Sequence, residues 1–441
     1  MIQILRIGQK IKIDTSGLIC EVVQLLGSGG QGEVYKALLA NKYVALKWYY
    51  LHSATSQQRA SLETLIRSGS PDEHFLWPLE IATSVNIPGF GYIMPLRDPA
   101  YKGIVDLMKR RVEPTFRVLA TLGLGLSQSF LQLHSKGLCY RDISFSNVFF
   151  HPVNGDVLIC DNDNVTVNQK ASSGVIGTPR FMAPEIVRGE SAPSIQTDLF
   201  SLSVLLFYIF MMNHPLEGTR ETAIRSLDLP AMNRLYGTNP LFIFDPDDSS
   251  NHPDPRFHKN ALVFWKMYPQ FFRNMFIKAF TAGLHDPDHR IRESEWRAAM
   301  VQLRDLIMYC SSCTQENFYD PEFMPAQKLC WYCGKELSPP PRLIIGKHTL
   351  ILNLDTKIYP HHINDHQLYD FSNPVAEVSQ HPHQIHRWGL KNLSPIKWTI
   401  TTRDGVIRDV DPGRTVPIAE QTKIDFGAVT GFITMAAPVI Q

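Results

Sequence analysis

Apolar and polar side chains alternate along residues 2–13 and again along 18–26, the period-two pattern of half-buried strands. A later, more apolar strand holds Val44-Ala45-Leu46-Lys47. The period then changes. Over residues 55–67, Leu62, Leu65 and Ile66 fall on one helical face, with Thr55 or Ser56 in place to cap it. Residues 75–81 and 91–94 read as two more strands, and Met94-Pro95-Leu96 as the exit from a small sheet. Beyond residue 100 the helical period dominates. A striped helix over 116–136 stops before Gly137, residues 157–160 are a buried strand, and 198–212 is a buried helix. Residues 219–262, rich in Pro, Asp and Asn, read as a surface elaboration. After Pro339-Pro340-Pro341, a stiff linker, short alternating strands return at 343–345, 349–352, 398–400, 406–407 and 423–426. That punctuation predicts an all-β sandwich.

A chain of 441 residues exceeds one ordinary core, so two or three domains are expected. A net charge of +1 offers neither a basic excess for nucleic acid nor a charged tail for a membrane surface. The N-terminal segment lacks the apolar core and cleavage site of a secretory signal, and the longest apolar run, 199–212, is too short to span a bilayer. Of seven cysteines, four fall in two close pairs, a metal pattern rather than a disulfide framework. The expected setting is therefore the reducing cytoplasm.

Four stretches carry candidate chemistry. In Leu26-Gly27-Ser28-Gly29-Gly30-Gln31-Gly32-Glu33-Val34, glycines 27, 29 and 32 let main-chain N–H groups approach phosphate oxygens. A strand, not a helix, follows this loop, which places Val34 to cover a base and argues against a dinucleotide fold. Lys47 sits in an apolar strand and needs a partner charge, for which Glu63 on the following helix is the candidate. Asp142 and Asn147 lie five residues apart in an otherwise apolar run, and Asp161 follows the strand 157–160. Such a set can take a hydroxyl proton and hold a magnesium ion. Finally, Cys310-Ser-Ser-Cys313 and Cys330-Trp-Tyr-Cys333, sixteen residues apart, suit tetrahedral zinc, with a redox pair as the alternative.

In this order the motifs Gly27-x-Gly29-x-x-Gly32-x-Val34, Val44-Ala45-Leu46-Lys47, Tyr140-Arg141-Asp142 with Asn147, Asp161, and Ala183-Pro184-Glu185 resemble the eukaryotic-like, or bacterial Hanks-type, serine/threonine protein kinases. The resemblance implies a bilobal kinase fold with an N-lobe over 1–97 and a C-lobe over 98–309; with the cysteine knuckles read as a zinc ribbon over 310–338 and the β-sandwich over 342–441, a multidomain α+β chain is expected. The resemblance also implies ATP and magnesium as cofactors, with Lys47 on the α- and β-phosphates and paired to Glu63. Asp142 would deprotonate a protein hydroxyl, and Asn147 and Asp161 would hold the metal. Ala45, Met94 as gatekeeper, Leu96 and the backbone of 95–97 would line the adenine site with Val34. By the same resemblance Glu185 pairs with Arg290, Asp198 anchors the catalytic loop, and Thr178 marks serine/threonine rather than tyrosine specificity.

The sequence also departs from that pattern. Tyr140 stands where a histidine is usual, and its ring can keep the packing role. Ser144 stands where a lysine is usual, which removes one cation from the transition state. Asn162-Asp163 replaces Phe-Gly after the metal-binding aspartate, and the second carboxylate suggests manganese beside magnesium. Arg141 is retained, and by the same resemblance it would receive a phosphorylated Thr166, Ser172 or Ser173. An active kinase and a nucleotide-binding pseudokinase scaffold both remain open.

Around Leu343-Ile344-Ile345-Gly346-Lys347, Gly389-Leu390-Lys391-Asn392 and Lys423-Ile424-Asp425-Phe426-Gly427 the C-terminal strands faintly resemble a forkhead-associated domain. Lys347 replaces the arginine that reads phosphothreonine there, so a degenerate docking sandwich is expected. The seven histidines 348, 361, 362, 366, 381, 383 and 386 read as surface loop residues, or else as a second metal site. Kinases of this build resemble those of tellurite-resistance clusters, which implies a von Willebrand factor A protein and a PP2C-type phosphatase as partners, beside a protein substrate.

Overall fold

The alternating N-terminal segment forms a strand only over its last four residues. Four strands, β1 (Lys10–Ile13), β2 (Ile19–Ser28), β3 (Gly32–Leu39) and β4 (Lys42–Tyr49), precede helix α1 (Ser56–Ser68), and β5 (Glu80–Thr83) and β6 (Gly91–Pro95) follow it. They close a barrel in the order β1-β2-β3-β4-β6-β5, with β5 returning to β1. The computed structural model describes residues 3–168, 177–320, 329–367 and 369–435, apart from the side chain of Ile385.

Local chemistry sets these bounds. Thr55 is the cap of α1, its hydroxyl accepting from the Gln58 amide at 3.1 Å, and Gly69 ends the helix at φ 67°. Residues 75–78 do not join the barrel as expected; Pro78 has no N–H for a ladder, and Phe75 instead bridges to Ile159. One face of the barrel buries Ile11, Val22, Tyr35, Leu46 and Trp48.

Helix α2 (Ile104–Met108), α3 (Phe116–Ser135) and, past the short helix α4 (Pro184–Val187), α5 (Ile195–Met211) build the helical part. From Thr197 onward every residue of α5 is buried. Its serines are tolerated because Ser201 and Ser203 return their hydroxyls to the carbonyls of Thr197 (3.0 Å) and Leu199 (2.8 Å). Residues 219–262 are not simply a surface feature. Phe242, Ile243 and Asn251 are buried, and Asn251 satisfies the carbonyls of Leu216 and Leu241.

The compact units cut the chain differently from the expected domains. One comprises Met1–Pro114, Thr121–Leu262 and Phe276–Arg297; the other comprises Thr115–Ala120, Val263–Met275 and Ala298–Gln441. Aromatic packing explains the cut: Phe116 lies against Tyr268 at 5.7 Å and Phe318 at 5.1 Å, all within the second unit. Beyond them, a six-stranded and a four-stranded antiparallel sheet enclose a common core that includes Leu343, Trp398 and Ile424 from the first and Ala376, Val378 and Leu390 from the second. Among the described residues no helix is long and apolar enough to cross a membrane.

Candidate active site

Lys47 lies on β4, whose last five residues are buried, and its side chain is only 7% exposed. A bare ammonium at such a place is costly, so anions are expected close by. They come from the turn after residue 160. Asp163 meets Lys47 Nζ with both oxygens, at 2.9 and 3.0 Å, and Asp161 with one at 3.3 Å. Burial works against the Lys47 charge, but the two carboxylates outweigh it and hold its pKa above the ordinary lysine value. Tyr49 donates its hydroxyl to Asp163; burial, then that carboxylate, push the Tyr49 pKa far up, so the hydroxyl keeps its proton. From the glycine loop Gln31 reaches Asn164 at 3.1 Å and Lys47 at 3.5 Å.

The opposite wall is the loop 140–147. Asn147 donates its amide to the Asp142 carboxylate (3.1 Å) and to the Asp142 carbonyl (2.8 Å), and Thr178 donates its hydroxyl to the other carboxylate oxygen at 2.7 Å. The loop is pinned from beneath. Asp198 accepts from the main-chain N–H groups of Tyr140 and Arg141, the latter at 2.9 Å. That pin holds Arg141 in the left-handed region at φ 78°, where a side chain is strained. Asp198 also accepts from His134 at 3.2 Å, and Glu293 bonds the other ring nitrogen. Burial alone would lower the His134 pKa; the two carboxylates raise it to about 9, so the imidazole is cationic at neutral pH. Below the loop, Arg290 forks onto Glu185 with two 2.8 Å bonds.

Between these walls Val34, Ala45, Met94 and Leu96 belong to one apolar cluster, with Ala45 directly opposite Met94 across β4 and β6. Pro95 has no N–H, so donors at the sheet exit come from Leu96 and Arg97. The glycines divide. A Cβ on Gly32 would meet the Trp48 carbonyl oxygen at 2.2 Å, whereas Gly27 and Gly29 face open space. The fold explains Gly32; the other two leave room for a ligand to approach main chain.

The family model for the protein kinase domain matches residues 20–267, more than half of the chain. The chain belongs to the protein kinase family. Relatives include the putative serine/threonine-protein kinase/receptor R831 of Acanthamoeba polyphaga mimivirus, 24% identical over 48% of this chain and 13% of its own length. The dual specificity mitogen-activated protein kinase kinase jkk-1 of Caenorhabditis elegans is 25% identical, over 54% of this chain and 57% of its own. A bacterial relative, the DNA damage-responsive serine/threonine-protein kinase RqkA of Deinococcus radiodurans, is 28% identical over 46% and 31%. The matched stretch thus spans less than two thirds of each of these proteins.

Within that family several expected roles have moved. The Lys47–Glu63 pair is not formed. Glu63 accepts from Arg59 at 3.1 Å, and Arg59 binds Asp14 at 2.8 Å. Asp163 does not stand open to a metal, since Lys47 and Tyr49 take its oxygens. Asn162 is fully buried, donating to the Ile159 carbonyl at 3.0 Å. Tyr140 keeps the packing role, edge-on to Phe130 at 5.6 Å, and its hydroxyl donates to the Cys160 carbonyl. Ser144 is 2% exposed, and its hydroxyl meets Ser146 at 2.9 Å rather than the cleft. Thr166 is half-buried on a short strand, and Ser172 and Ser173 lie outside the described residues.

The sequence reading missed the bond from Thr178 to Asp142, the bridging His134, and Tyr49 with Gln58. A histidine in an apolar stripe and a tyrosine two residues beyond a buried lysine were the available signals.

In the second unit the four cysteines are the one group of three or more metal-capable side chains brought together among the described residues, with all sulfurs within 4.8 Å of one another. Cys310 and Cys333 are 3.7 Å apart, as are Cys313 and Cys330. An edge of about 3.8 Å is what a tetrahedron with 2.3 Å zinc–sulfur bonds requires. The two knuckles match: Thr314 and Gly334, each just after a second cysteine, both take positive φ. The histidines divide. Those at 366, 381, 383 and 386 are exposed, but His361 and His362 are buried, and burial with His362 alongside pushes His361 down to about 3.

Proposed function

We propose that the chain is an ATP-dependent protein kinase that transfers the γ-phosphate to serine or threonine hydroxyls of a partner protein and of itself. The observation that carries this reading is the Asp142 carboxylate, held by Asn147 and Thr178 across a cleft from Lys47 and Asp161. A base so fixed needs no reorganisation before it takes the hydroxyl proton, and positioning supplies most of the catalysis of phosphoryl transfer. Asn147 and Asp161 offer the hard oxygen atoms that magnesium prefers, and the ion would neutralise phosphate charge there. Lys47 would hold the α- and β-phosphates. The apolar cluster of Val34, Ala45, Met94 and Leu96 would cover the base.

Purified protein incubated with labelled ATP and magnesium should label itself or a partner, and Asp142→Ala should lose at least a hundredfold of that rate. Nucleotide binding without transfer in the wild type would favour the pseudokinase scaffold instead, a reading supported by the inward-facing Ser144.

Zinc in the four-cysteine site is part of the same proposal, supported by the 3.7 Å sulfur spacing. Trp331, between the second pair of cysteines, reports on it, because its indole N–H donates to the Glu316 carbonyl at 2.8 Å. Chelation should shift Trp331 fluorescence to the red, and zinc should restore it. The two sheets of the second unit support a docking sandwich, for which a von Willebrand factor A protein and a PP2C-type phosphatase are the candidate partners. Co-purification with each tests that assignment.

A further inference from the structure

The family pattern neutralises the phosphate-binding lysine with a glutamate on the helix after it. Here helix α1 turns the wrong face to the cleft. Gln58 is a polar α1 side chain that looks inward beside the buried Leu62, reaching the Tyr49 hydroxyl at 3.2 Å and the Asp163 carbonyl at 3.3 Å. Glu63 is five residues further on, about 140° around a helix of 3.6 residues per turn. It is 42% exposed and engaged with Arg59. No small tilt of α1 brings both residues to Lys47.

We propose that Asp163 is the structural counter-ion of Lys47, and that it positions this lysine for the nucleotide phosphates in place of a helix glutamate. The inference rests on the kinase reading of the cleft. Asp161 takes left-handed dihedrals, φ 51° and ψ 44°, and a single turn of 3₁₀ helix over Asn162–Asn164 follows. That turn curls Asp163 back under β4. Its side chain is wholly buried, with both oxygens on Lys47 and one shared with Tyr49. A glycine at this position, as the family usually has, could not do this, and a carboxylate so enclosed, with none of its side chain exposed, has no open face for a metal. Asp161, 43% exposed, stays open toward the cleft. The two acids thus divide the work: one fixes the lysine, the other faces the ligand. The tie that fixes Lys47 runs through the 161–164 turn rather than through the tilt of α1.

Three variants of the full chain test this: Asp163→Asn, Glu63→Gln, and Asp163→Asn combined with Gln58→Glu. With saturating ATP, Asp163→Asn should lower kcat at least tenfold while the magnesium concentration for half-maximal rate stays within twofold. Glu63→Gln should lose at least fivefold less. The double variant moves the carboxylate onto the inward face of α1 and should recover at least a third of the lost kcat. Labelling of Lys47 by an amine-reactive ester, read by peptide mass spectrometry, should rise at least fivefold in Asp163→Asn and by less than twofold in Glu63→Gln. That last readout needs no phosphate transfer, so an inactive wild type would sink the kinase reading and leave this test standing. Should Asp163→Asn not fold, Tyr49→Phe, which removes the other partner of Asp163, should lower kcat with the magnesium dependence unmoved. A loss in Glu63→Gln equal to that in Asp163→Asn overturns the proposal. So does a shifted magnesium dependence, which would make Asp163 a metal ligand, or the absence of recovery in the double variant.

Discussion

Two buried charge centres frame the cleft, and they differ in how freely their parts can be exchanged. At the centre around Asp198, one carboxylate accepts from two consecutive main-chain N–H groups and from His134. Main-chain donors have fixed directions, so only a side chain of that length from that turn of α5 serves. At the centre around Lys47 the partner is a flexible ammonium. Any carboxylate that reaches it will do, whichever element supplies it. The first centre therefore keeps the acid that the resemblance implies, Asp198, although Tyr140 stands beside it in place of the usual histidine, while in the second the counter-ion lies not on the helix but in the turn after β7 (Val157–Ile159). Directional bonds conserve position; point charges conserve only sign.

If that contrast is right, the largest loss falls on the directional centre. Asp198→Ala leaves the main-chain amides of Tyr140 and Arg141 without their acceptor and the charged imidazole of His134 with Glu293 alone. It should cost roughly 5 kcal/mol of folding stability, at the upper end for a broken buried pair. It should also lower phosphate transfer by about 10²-fold through displacement of Asp142. Urea unfolding and a transfer assay measure the two. Next comes Arg290, whose guanidinium is 2% exposed in its pair with Glu185. Arg290→Ala should cost about 3–4 kcal/mol. Arg290→Lys should recover less than half of it, because an ammonium cannot reproduce the fork. Full recovery by lysine would break the contrast between direction and charge.

His134 gives the comparison a pH axis. Its folded pKa, about 9, lies above the ordinary value of 6.5 because Asp198 and Glu293 favour the charged ring. The native state thus holds a proton that the unfolded chain has released, and stability must fall as pH rises between these values. The contribution is complete below pH 6.5 and lost as pH passes about 9, to the extent of about 3 kcal/mol. Thermal unfolding of wild type and His134→Phe between pH 6 and 9.5 should show the wild-type slope and its absence in the variant.

Much of this was legible from residue types in order. Lys47, Asp142, Asn147 and Asp161 each set a charged or amide side chain in or beside an apolar run, and that combination is visible in one dimension, whereas the Glu185–Arg290 pair was legible only through the family resemblance. What escaped was direction. Glu63 and Gln58 are both polar side chains of α1, about 140° apart around it, and only the orientation of the helix against β4 decides which looks inward. Asp163 was read as a metal carboxylate because a sequence places it beside Asp161 but says nothing of the left-handed residue that turns it toward Lys47. The barrel was foreseen as strands but not as a closed ring, since closure depends on β5 meeting β1 across 60 intervening residues or more. The buried Phe242 and Asn251 were hidden by their Pro- and Asp-rich surroundings, because composition averages over a segment while burial is decided side chain by side chain.

The smallest effect is the sharpest test of what α1 still contributes. Gln58 makes two bonds, at 3.2 and 3.3 Å, both to groups that are already held by Asp163 itself or by its neighbours. Gln58→Leu keeps most of the side-chain volume and removes one neutral donor near an accepting carbonyl and a hydroxyl. A bond of this kind contributes about 1 kcal/mol. The variant should therefore unfold at slightly lower urea and change kcat by less than about fivefold, well short of Asp163→Asn. Were Gln58→Leu to match Asp163→Asn, α1 rather than the 161–164 turn would be setting the lysine, and the counter-ion would have changed its residue without leaving its element.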